Sequence, residues 1–168
     1  MLIYLLGYMG CGKSTLGRKL SKALDLQYID LDLLIEEKEN CSISNIFTFM
    51  GEEYFRKCEL AILEEVSLKE NAIVSLGGGT PCYKTNMEII KKSGKSIYLK
   101  LPTKALFQRL TNSKKPRPLI AKIGKENLLA FIENQLSERQ KFYVQADKIF
   151  DMHEYSAKQI IDEIRKLL

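Results

Sequence analysis

A phosphate-binding pattern near the start of the chain constrains the fold more than any other feature of the sequence. The segment reads Gly7-Tyr8-Met9-Gly10-Cys11-Gly12-Lys13-Ser14 and matches GxxxxGK(S/T). It follows an apolar run at residues 2–6 and precedes apolar residues at helical spacing over 16–24. Glycines let such a loop wrap its N–H groups around phosphate oxygens beside a helix N-terminus. The pattern therefore predicts a strand, a phosphate loop and a helix, in that order.

Apolar runs and helical patterns alternate along the rest of the 168 residues. The expected strands are Leu2–Leu6, Gln27–Asp30, 72–76, 96–101 and Lys148–Asp151. The expected helices are one capped by Ser42, one over 52–66 that buries Phe55, Cys58, Ile62 and Val66, one capped by Thr103, a long one around 128–136 and one capped by Ser156. Residues 112–122 are polar and form the one long loop expected. This order predicts a single three-layer α/β/α domain around a mainly parallel sheet.

The composition argues against several classes of protein. The net charge of +5 is modest, and lysines such as Lys91 and Lys114 are spread along the chain, which speaks against a nucleic-acid surface. The apolar run at 2–6 is too short for a membrane span or a signal peptide, so no membrane partner and a cytoplasmic location are expected. The four cysteines form no CxxC pair, and we expect them to be reduced thiols.

The phosphate loop assigns chemistry to two side chains. Lys13 is expected to reach the β- and γ-phosphates, and the hydroxyl of Ser14 to ligate Mg²⁺. The sequence contains neither DxxG nor NKxD, the motifs of GTP-dependent switches. The strand at 72–76 runs into Gly77-Gly78-Gly79 instead of the acid expected of a hydrolytic motor. These features favour a kinase of a small metabolite.

The remaining candidates each have a structural alternative. Asp30 and Asp32 could orient a metal and an attacking hydroxyl, or could simply favour a helix N-terminus. The glycine triplet could expose backbone amides to a ligand, or could only end a strand. Arg56 and Arg139 could bind an anion, or could be surface arginines. His153, the one histidine, is expected to be an exposed loop residue.

Together these segments resemble the shikimate kinase family over nearly the whole chain. Beside the phosphate loop and the acid pair Asp30-Leu31-Asp32, the family signatures read Ser42-Ile43, Ile46-Phe47, Gly51-Glu52, Phe55-Arg56, Glu59, Ser75-Leu76-Gly77-Gly78-Gly79, Arg117-Pro118-Leu119, Glu138-Arg139 and Phe142-Tyr143. The resemblance implies transfer of phosphate from ATP, with Mg²⁺, to the 3-hydroxyl of shikimate on the route to aromatic amino acids. It also implies the nucleoside monophosphate kinase fold, with a five-stranded parallel sheet.

The resemblance further implies roles for individual residues. The catalytic residues would be Lys13, Asp32 and Arg117. The ATP-binding residues would be Gly10, Cys11, Gly12, Lys13, Ser14, Thr15, Arg109 and Arg117. The shikimate-binding residues would be Asp32, Arg56, Gly78, Arg139, Phe47 and Phe55. The metal would be held at Ser14 and Asp30.

Within residues 1–168 the resemblance implies one phosphate-loop kinase domain, with a substrate-binding helical segment at about 31–66 and a lid loop at about 111–122. A monomer is expected. The alternatives are a kinase of another polar metabolite, such as gluconate or a nucleoside monophosphate, and a nucleotide-sensing or nucleotide-binding module without transfer activity. An acceptor nucleotide would need a base pocket, for which the sequence offers no specific residues.

Overall fold

A five-stranded, all-parallel sheet carries the fold of this chain, for which a computed structural model describes residues 1–113 and 123–167. The strands are β1 (Leu2–Leu6), β2 (Gln27–Asp30), β3 (Ala72–Ser75), β4 (Lys95–Lys100) and β5 (Lys148–Asp151). Their order across the sheet is β2-β3-β1-β4-β5. The N-terminal strand is therefore central, and the three-layer class and the parallel sheet are confirmed.

Helices connect the strands and cover both faces of the sheet. They are α1 (Lys13–Leu24), α2 (Leu31–Glu39), α3 (Ile43–Phe49), α4 (Gly51–Ser67), α5 (Asn86–Ser93), α6 (Thr103–Thr111), α7 (Lys125–Tyr143) and α8 (Ala157–Arg165). A short 3₁₀ helix at Thr80–Cys82 follows β3. Among the described residues, no helix has the length and apolar character needed to cross a membrane.

Two hydrophobic cores lie on opposite faces of the sheet because side chains alternate along each strand. In β1, Leu2, Tyr4 and Leu6 belong to one core, whereas Ile3 and Leu5 belong to the other. All five side chains of β1 are buried. A strand buried on both faces reads as one continuous apolar run, which is why residues 2–6 show no polar alternation.

Several local predictions are confirmed and two are wrong. Ser42 and Ser156 cap α3 and α8, the latter in a full capping box with Gln159. Thr103 is the first residue of α6 and not its cap, because the chain stays extended at Pro102 and turns into the helix one residue later. Cys58 is only partly buried, and the buried stripe of α4 instead includes Glu59. All four cysteines are free thiols.

The sheet order gathers the predicted site at one edge. In the order β2-β3-β1, the carboxyl ends of three adjacent strands lead into Asp30, the glycine triplet and the phosphate loop. Register places Ser75 of β3 beside both Asp30 of β2 and Leu5 of β1. Ligands of open α/β sheets bind at this edge.

The edge strand β5 is held to β4 by a carboxylate, and this contact yields a stability prediction. Oδ2 of Asp147 accepts hydrogen bonds from the backbone N–H of Ser96 at 2.8 Å and from its hydroxyl at 2.7 Å. Partial burial would raise the pKa of Asp147, but the two bonds from Ser96 and the charge of Lys95 outweigh it, so the pKa is lowered. The ionised form therefore stabilises the fold.

We expect Asp147→Asn to lower the free energy of unfolding by about 1 kcal/mol at pH 7, since a partly exposed charged hydrogen bond is replaced by a neutral one. Because the pKa is depressed, this stabilisation is present above the unfolded pKa of about 3.9 and is lost as the pH falls further. Urea unfolding of both proteins at pH 7 and at about pH 3 measures the difference. Asp162→Asn, on the exposed face of α8, is the matched control. An equal loss at both pH values would contradict the role of the charge.

Candidate active site

The phosphate loop (residues 7–14) can wrap tightly because glycine occupies its closest approaches. Gly12, with a φ of 108°, directly precedes α1 and turns the chain into the helix. At Gly7, with a φ of 143°, a Cβ atom would lie 2.8 Å from the carbonyl oxygen of Leu99 on β4. The loop thus sits at the N-terminus of α1, where the helix dipole favours an anion.

The ammonium group of Lys13 lies inside this loop. The side chain is buried, and Nζ donates to the carbonyl oxygens of Gly7 at 2.7 Å and Tyr8 at 3.1 Å. A buried cation is tolerated only when it is hydrogen-bonded or paired. The backbone carbonyls meet that need and hold the positive charge at the centre of the loop.

Asp30, at the end of β2, faces the start of α1. Its Oδ2 accepts hydrogen bonds from the hydroxyl of Ser14 at 3.2 Å and from the phenol of Tyr28 at 3.1 Å. Although Asp30 occupies the N-cap position of α2, its side chain makes no capping hydrogen bond. The contacts of Asp30 therefore do not support the structural alternative, in which its side chain only caps the helix.

The oxygen donors of Ser14 and Asp30 suit a magnesium ion. Mg²⁺ prefers hard oxygen ligands and commonly takes one or two from the protein, with the rest from phosphates and water. In residues 1–113 and 123–167, no three His, Cys, Asp or Glu side chains form a group that could hold a metal. The donor set thus fits an ion that is shared with a nucleotide.

Asp32, in the first turn of α2, lies beside Gly77. A Cβ atom on Gly77 would be 2.7 Å from Oδ1 of Asp32, so the backbone of the triplet passes directly against the carboxylate. Burial, followed by the negative charges of Asp30 and Glu59, raises the pKa of Asp32 to about 6, although the charge of Lys13 opposes the shift. A carboxylate in such a place accepts a proton more readily than a solvated one.

Arg56 is held between two glutamates of its own helix, α4. Nη1 donates to Glu59 at 2.7 Å, while Nε and Nη2 donate to Glu52 at 3.4 and 3.2 Å. Glu59 is fully buried and also accepts a hydrogen bond from the hydroxyl of Thr80. These bonds use three of the five N–H groups of the guanidinium. The arginine is thus oriented against Gly79 with donors left for a ligand.

Arg139, on α7, approaches the glycine triplet from the other side. Its guanidinium lies over the ring of Tyr8, 5.5 Å from the centroid. A Cβ atom on Gly78 would be only 3.0 Å from Nη1 of Arg139. Arg56 and Arg139, with Gly79 between them, line one cavity of about 520 Å³. Two guanidinium groups facing one cavity are suited to a carboxylate or phosphate.

The phosphate loop opens into a second cavity of about 420 Å³. Its lining includes these predicted residues: Gly10, Gly12, Lys13, Ser14, Thr15, Asp30, Asp32, Gly78 and Arg109. Arg109 donates to the carbonyl oxygen of Cys11 at 3.2 Å, which ties α6 to the loop. The thiol of Cys11 is buried, and Cys11 is not among the residues that line this cavity. Arg117 lies outside the described residues.

The two phenylalanines stay together but do not reach either cavity. The ring centroids of Phe47 and Phe55 are 4.7 Å apart, with Phe55 buried and Phe47 exposed. Neither ring is among the described side chains that line the two cavities. The centroid of the Phe55 ring lies instead 5.3 Å from the guanidinium carbon of Arg56, so the ring packs against the arginine.

Sequence reasoning missed the residues that hold the site in shape. The family signature that contains Glu59 implies no role for it, and the sequence predicts none for Tyr28, Thr80 or Tyr143. An acid on the buried stripe of a helix is a usable signal for Glu59, because a buried carboxylate requires a partner. Tyr143 belongs to the Phe142-Tyr143 signature, but nothing in the sequence indicates its partner, and for Tyr28 and Thr80 there is no comparable signal.

The comparisons with known proteins agree with this geometry. The family model described as SKI: Shikimate kinase matches residues 9–168. A shikimate kinase from Azobacteroides pseudotrichonymphae is 42% identical over 163 residues, which are 96% of this chain and 96% of that protein.

Solved structures give the same result. The crystal structure of shikimate kinase from Bacteroides thetaiotaomicron superimposes with a TM-score of 0.92 at 36% identity, covering 99% of this chain and 97% of that one. The shikimate kinase from Acinetobacter baumannii in complex with shikimate gives a TM-score of 0.87 at 32% identity, covering 99% and 91%. The chain belongs to the shikimate kinase family.

Proposed function

We propose that this protein transfers the γ-phosphoryl group of ATP to the 3-hydroxyl of shikimate, giving ADP and shikimate 3-phosphate. One observation carries the proposal beyond family membership: a cavity over the phosphate loop and a cavity between two arginines flank the same glycine triplet. A phosphate donor and a carboxylic-acid acceptor can therefore be bound side by side. The alternative acceptor, gluconate, is not favoured by any of the relatives described above.

On the donor side, the phosphate loop and Lys13 would bind the triphosphate. Phosphoryl transfer depends chiefly on positioning and on electrostatic stabilisation of the equatorial oxygens. Thr15 and Arg109 border the same cavity and would contact the nucleotide. Ser14 and Asp30 would hold a magnesium ion, which when bound neutralises charge on the β- and γ-phosphates.

On the acceptor side, Arg56 and Arg139 would bind the carboxylate of shikimate by charge-assisted hydrogen bonds. Asp32 would accept a hydrogen bond from the attacking hydroxyl and take its proton, a role that its raised pKa favours. A backbone N–H of Gly78 would add a further bond. Phe47 and Phe55 remain proposed as the wall of this site, with Phe55 acting through Arg56.

The larger divisions of the chain are also proposals. Residues 31–66 would form the acceptor-binding segment within one kinase domain, and residues 111–122 a lid that carries Arg117, with 114–122 outside the described residues. Arg117 would offset charge on the transferring group and the lid would exclude water. A monomer in the cytoplasm, acting in aromatic amino acid biosynthesis, completes the proposal.

An acceptor assay tests the function directly. With Mg²⁺ and ATP, we expect ADP release that depends on shikimate and is absent with gluconate or AMP, because only shikimate offers both the carboxylate and the ring hydroxyls. Lys13→Ala should abolish the activity and leave the circular dichroism spectrum unchanged. Release of ADP with AMP or gluconate, at a rate equal to that with shikimate, would refute the assignment of the acceptor.

Asp32→Asn should abolish turnover and at the same time stabilise the fold. The pKa of Asp32 is raised to about 6 in the folded chain, so the ionised group destabilises the fold increasingly as the pH rises from about 4 through 6, and fully at pH 7. Removing the charge should therefore raise Tm by several degrees, for a gain of about 1–3 kcal/mol. Thermal unfolding in EDTA at pH 7 measures this, with the exposed Asp25→Asn as the control. A lower Tm would contradict the role of the buried charge.

Arg56→Lys should raise KM for shikimate about tenfold or more, and change kcat and KM for ATP far less. A lysine cannot keep the bonds to Glu52 and Glu59 while it offers a bidentate edge to a carboxylate. Steady-state kinetics against each substrate measures the effect. Arg165→Lys, on the exposed face of α8, controls for loss of a guanidinium elsewhere. An unchanged KM for shikimate would remove Arg56 from the carboxylate site.

A further inference from the structure

The buried hydroxyl of Tyr143 lies beside the glycine triplet and has no role in the mechanism proposed above. Tyr143 is the last residue of α7 and is completely buried. Its hydroxyl donates to the carbonyl oxygen of Gly78 at 2.5 Å, across 65 residues of sequence. The bond ties the end of a 19-residue helix to the glycine triplet.

Gly78 is the point where three segments of the site meet. Measured from the position of a Cβ atom on Gly78, Nη1 of Arg139 is at 3.0 Å, and the carbonyl oxygen of Gly7 and the hydroxyl oxygen of Tyr143 are each at 3.6 Å. The phosphate loop, the glycine triplet and α7 thus converge within one side-chain radius. The contact with Arg139, on the acceptor side, is the tightest of the three, so a small displacement of this peptide would alter that contact first.

The position of the Tyr143 ring is fixed by packing in the hydrophobic core. It packs on Tyr98 of β4 with ring centroids 5.0 Å apart, and both rings belong to the same hydrophobic core. Burial raises the pKa of Tyr143 well above its usual range, although the charge of Arg139 opposes the shift. The phenol is therefore a neutral donor at every working pH, and a buried donor of this kind needs its acceptor.

Planarity of the peptide bond extends this contact to the next residue. The carbonyl of Gly78 and the N–H of Gly79 belong to one rigid trans peptide unit and point in opposite directions. When Tyr143 holds the carbonyl oxygen, the direction of the Gly79 N–H is set as well. Gly79 is the residue against which Arg56 packs, since a Cβ atom there would lie 2.7 Å from Nη2.

We propose that Tyr143 is a positioning residue for the acceptor. Through its bond to Gly78 it holds the peptide that separates Arg56 from Arg139, and so sets the spacing at which the two guanidinium groups bind one carboxylate. Arg139 lies four residues before Tyr143, one turn away on the same helix, so the bond also fixes where that arginine stands. The inference rests on the proposed function, because the effect is measured through the acceptor.

Tyr143→Phe tests the proposal, because it deletes the hydroxyl and keeps the packed ring. We expect KM for shikimate to rise about 3–10-fold, the equivalent of one neutral hydrogen bond, with KM for ATP unchanged and kcat within about twofold. Equal KM values for shikimate in the variant and the wild type would overturn the proposal. If the wild type itself does not turn over shikimate, the proposed function fails instead.

Tyr4→Phe is the matched control. Tyr4 is equally buried, and its hydroxyl is hydrogen-bonded to Ser93 at 2.7 Å, just before the amino end of β4 and away from the site. Tyr4→Phe should lower Tm about as much as Tyr143→Phe does, and it should leave KM for shikimate unchanged. If KM for shikimate rises in both variants, the cause is a general loss of stability and not the position of Tyr143.

Two further measurements separate positioning from a purely structural role. Tyr143→Phe and Arg139→Lys should be non-additive in their effects on KM for shikimate, because both act on the same carboxylate contact, and strict additivity would contradict the coupling. In the wild type, the amide hydrogens of Thr80 and Cys82, which donate to the carbonyl oxygens of Gly77 and Gly79, should exchange as slowly as those of the core strands. Exchange at the rate of an exposed loop would show that the bond does not hold the peptide, even if the variant does not fold.

Discussion

The structure depends on buried and half-buried charges that are held together at one edge of a parallel sheet. Six side chains form this group: Asp30, Asp32 and Glu59 with Lys13, Arg56 and Arg139. Charges at reduced exposure are stable only when each has partners, and losing one partner leaves the other uncompensated. The sheet, the loop and the helices supply those partners, so the fold can be understood as the support for this group. A carboxylate with a raised pKa shows that the balance is incomplete, as is typical of sites that carry out chemistry.

Glycine lets the two halves of the site come close. Backbone at Gly77, Gly78 and Gly79 lies against Asp32, Arg139 and Arg56 in turn, at distances that a side chain would occupy. The triplet therefore lies between the cavity over the phosphate loop and the cavity between the two arginines. In-line phosphoryl transfer requires the two substrates to approach closely, and side chains at these three glycine positions would keep them apart. Because the triplet has no side chains of its own to pack, its conformation depends on contacts with Tyr143, Arg56 and Thr80.

Local signals predicted most of the fold, and contacts distant in sequence account for what they missed. Residues 2–6 and 72–75 are continuous apolar runs, so their strands could be found without knowing the partners. The phosphate loop carries its own motif. The bonds of Tyr143 to Gly78 and Thr80 to Glu59 join residues 65 and 21 positions apart, and no local pattern encodes them. Thr103 is not the cap because the cap position falls one residue earlier, at Pro102. Phe47 packs against Phe55 but stays exposed, which its apolar character did not predict.

The central place of β1 has a consequence for the order in which the chain can fold during synthesis. β1 leaves the ribosome well before its two neighbours, because β3 and β4 begin 70 or more residues later. Until residue 75 has emerged, the apolar run at 2–6 has both hydrogen-bonding edges open, and the edge that pairs with β4 stays open until residue 100. Such distant pairing slows folding and leaves an aggregation-prone edge unprotected in the nascent chain. The phosphate loop, which follows β1 directly, is thus made long before the strands that fix its shape.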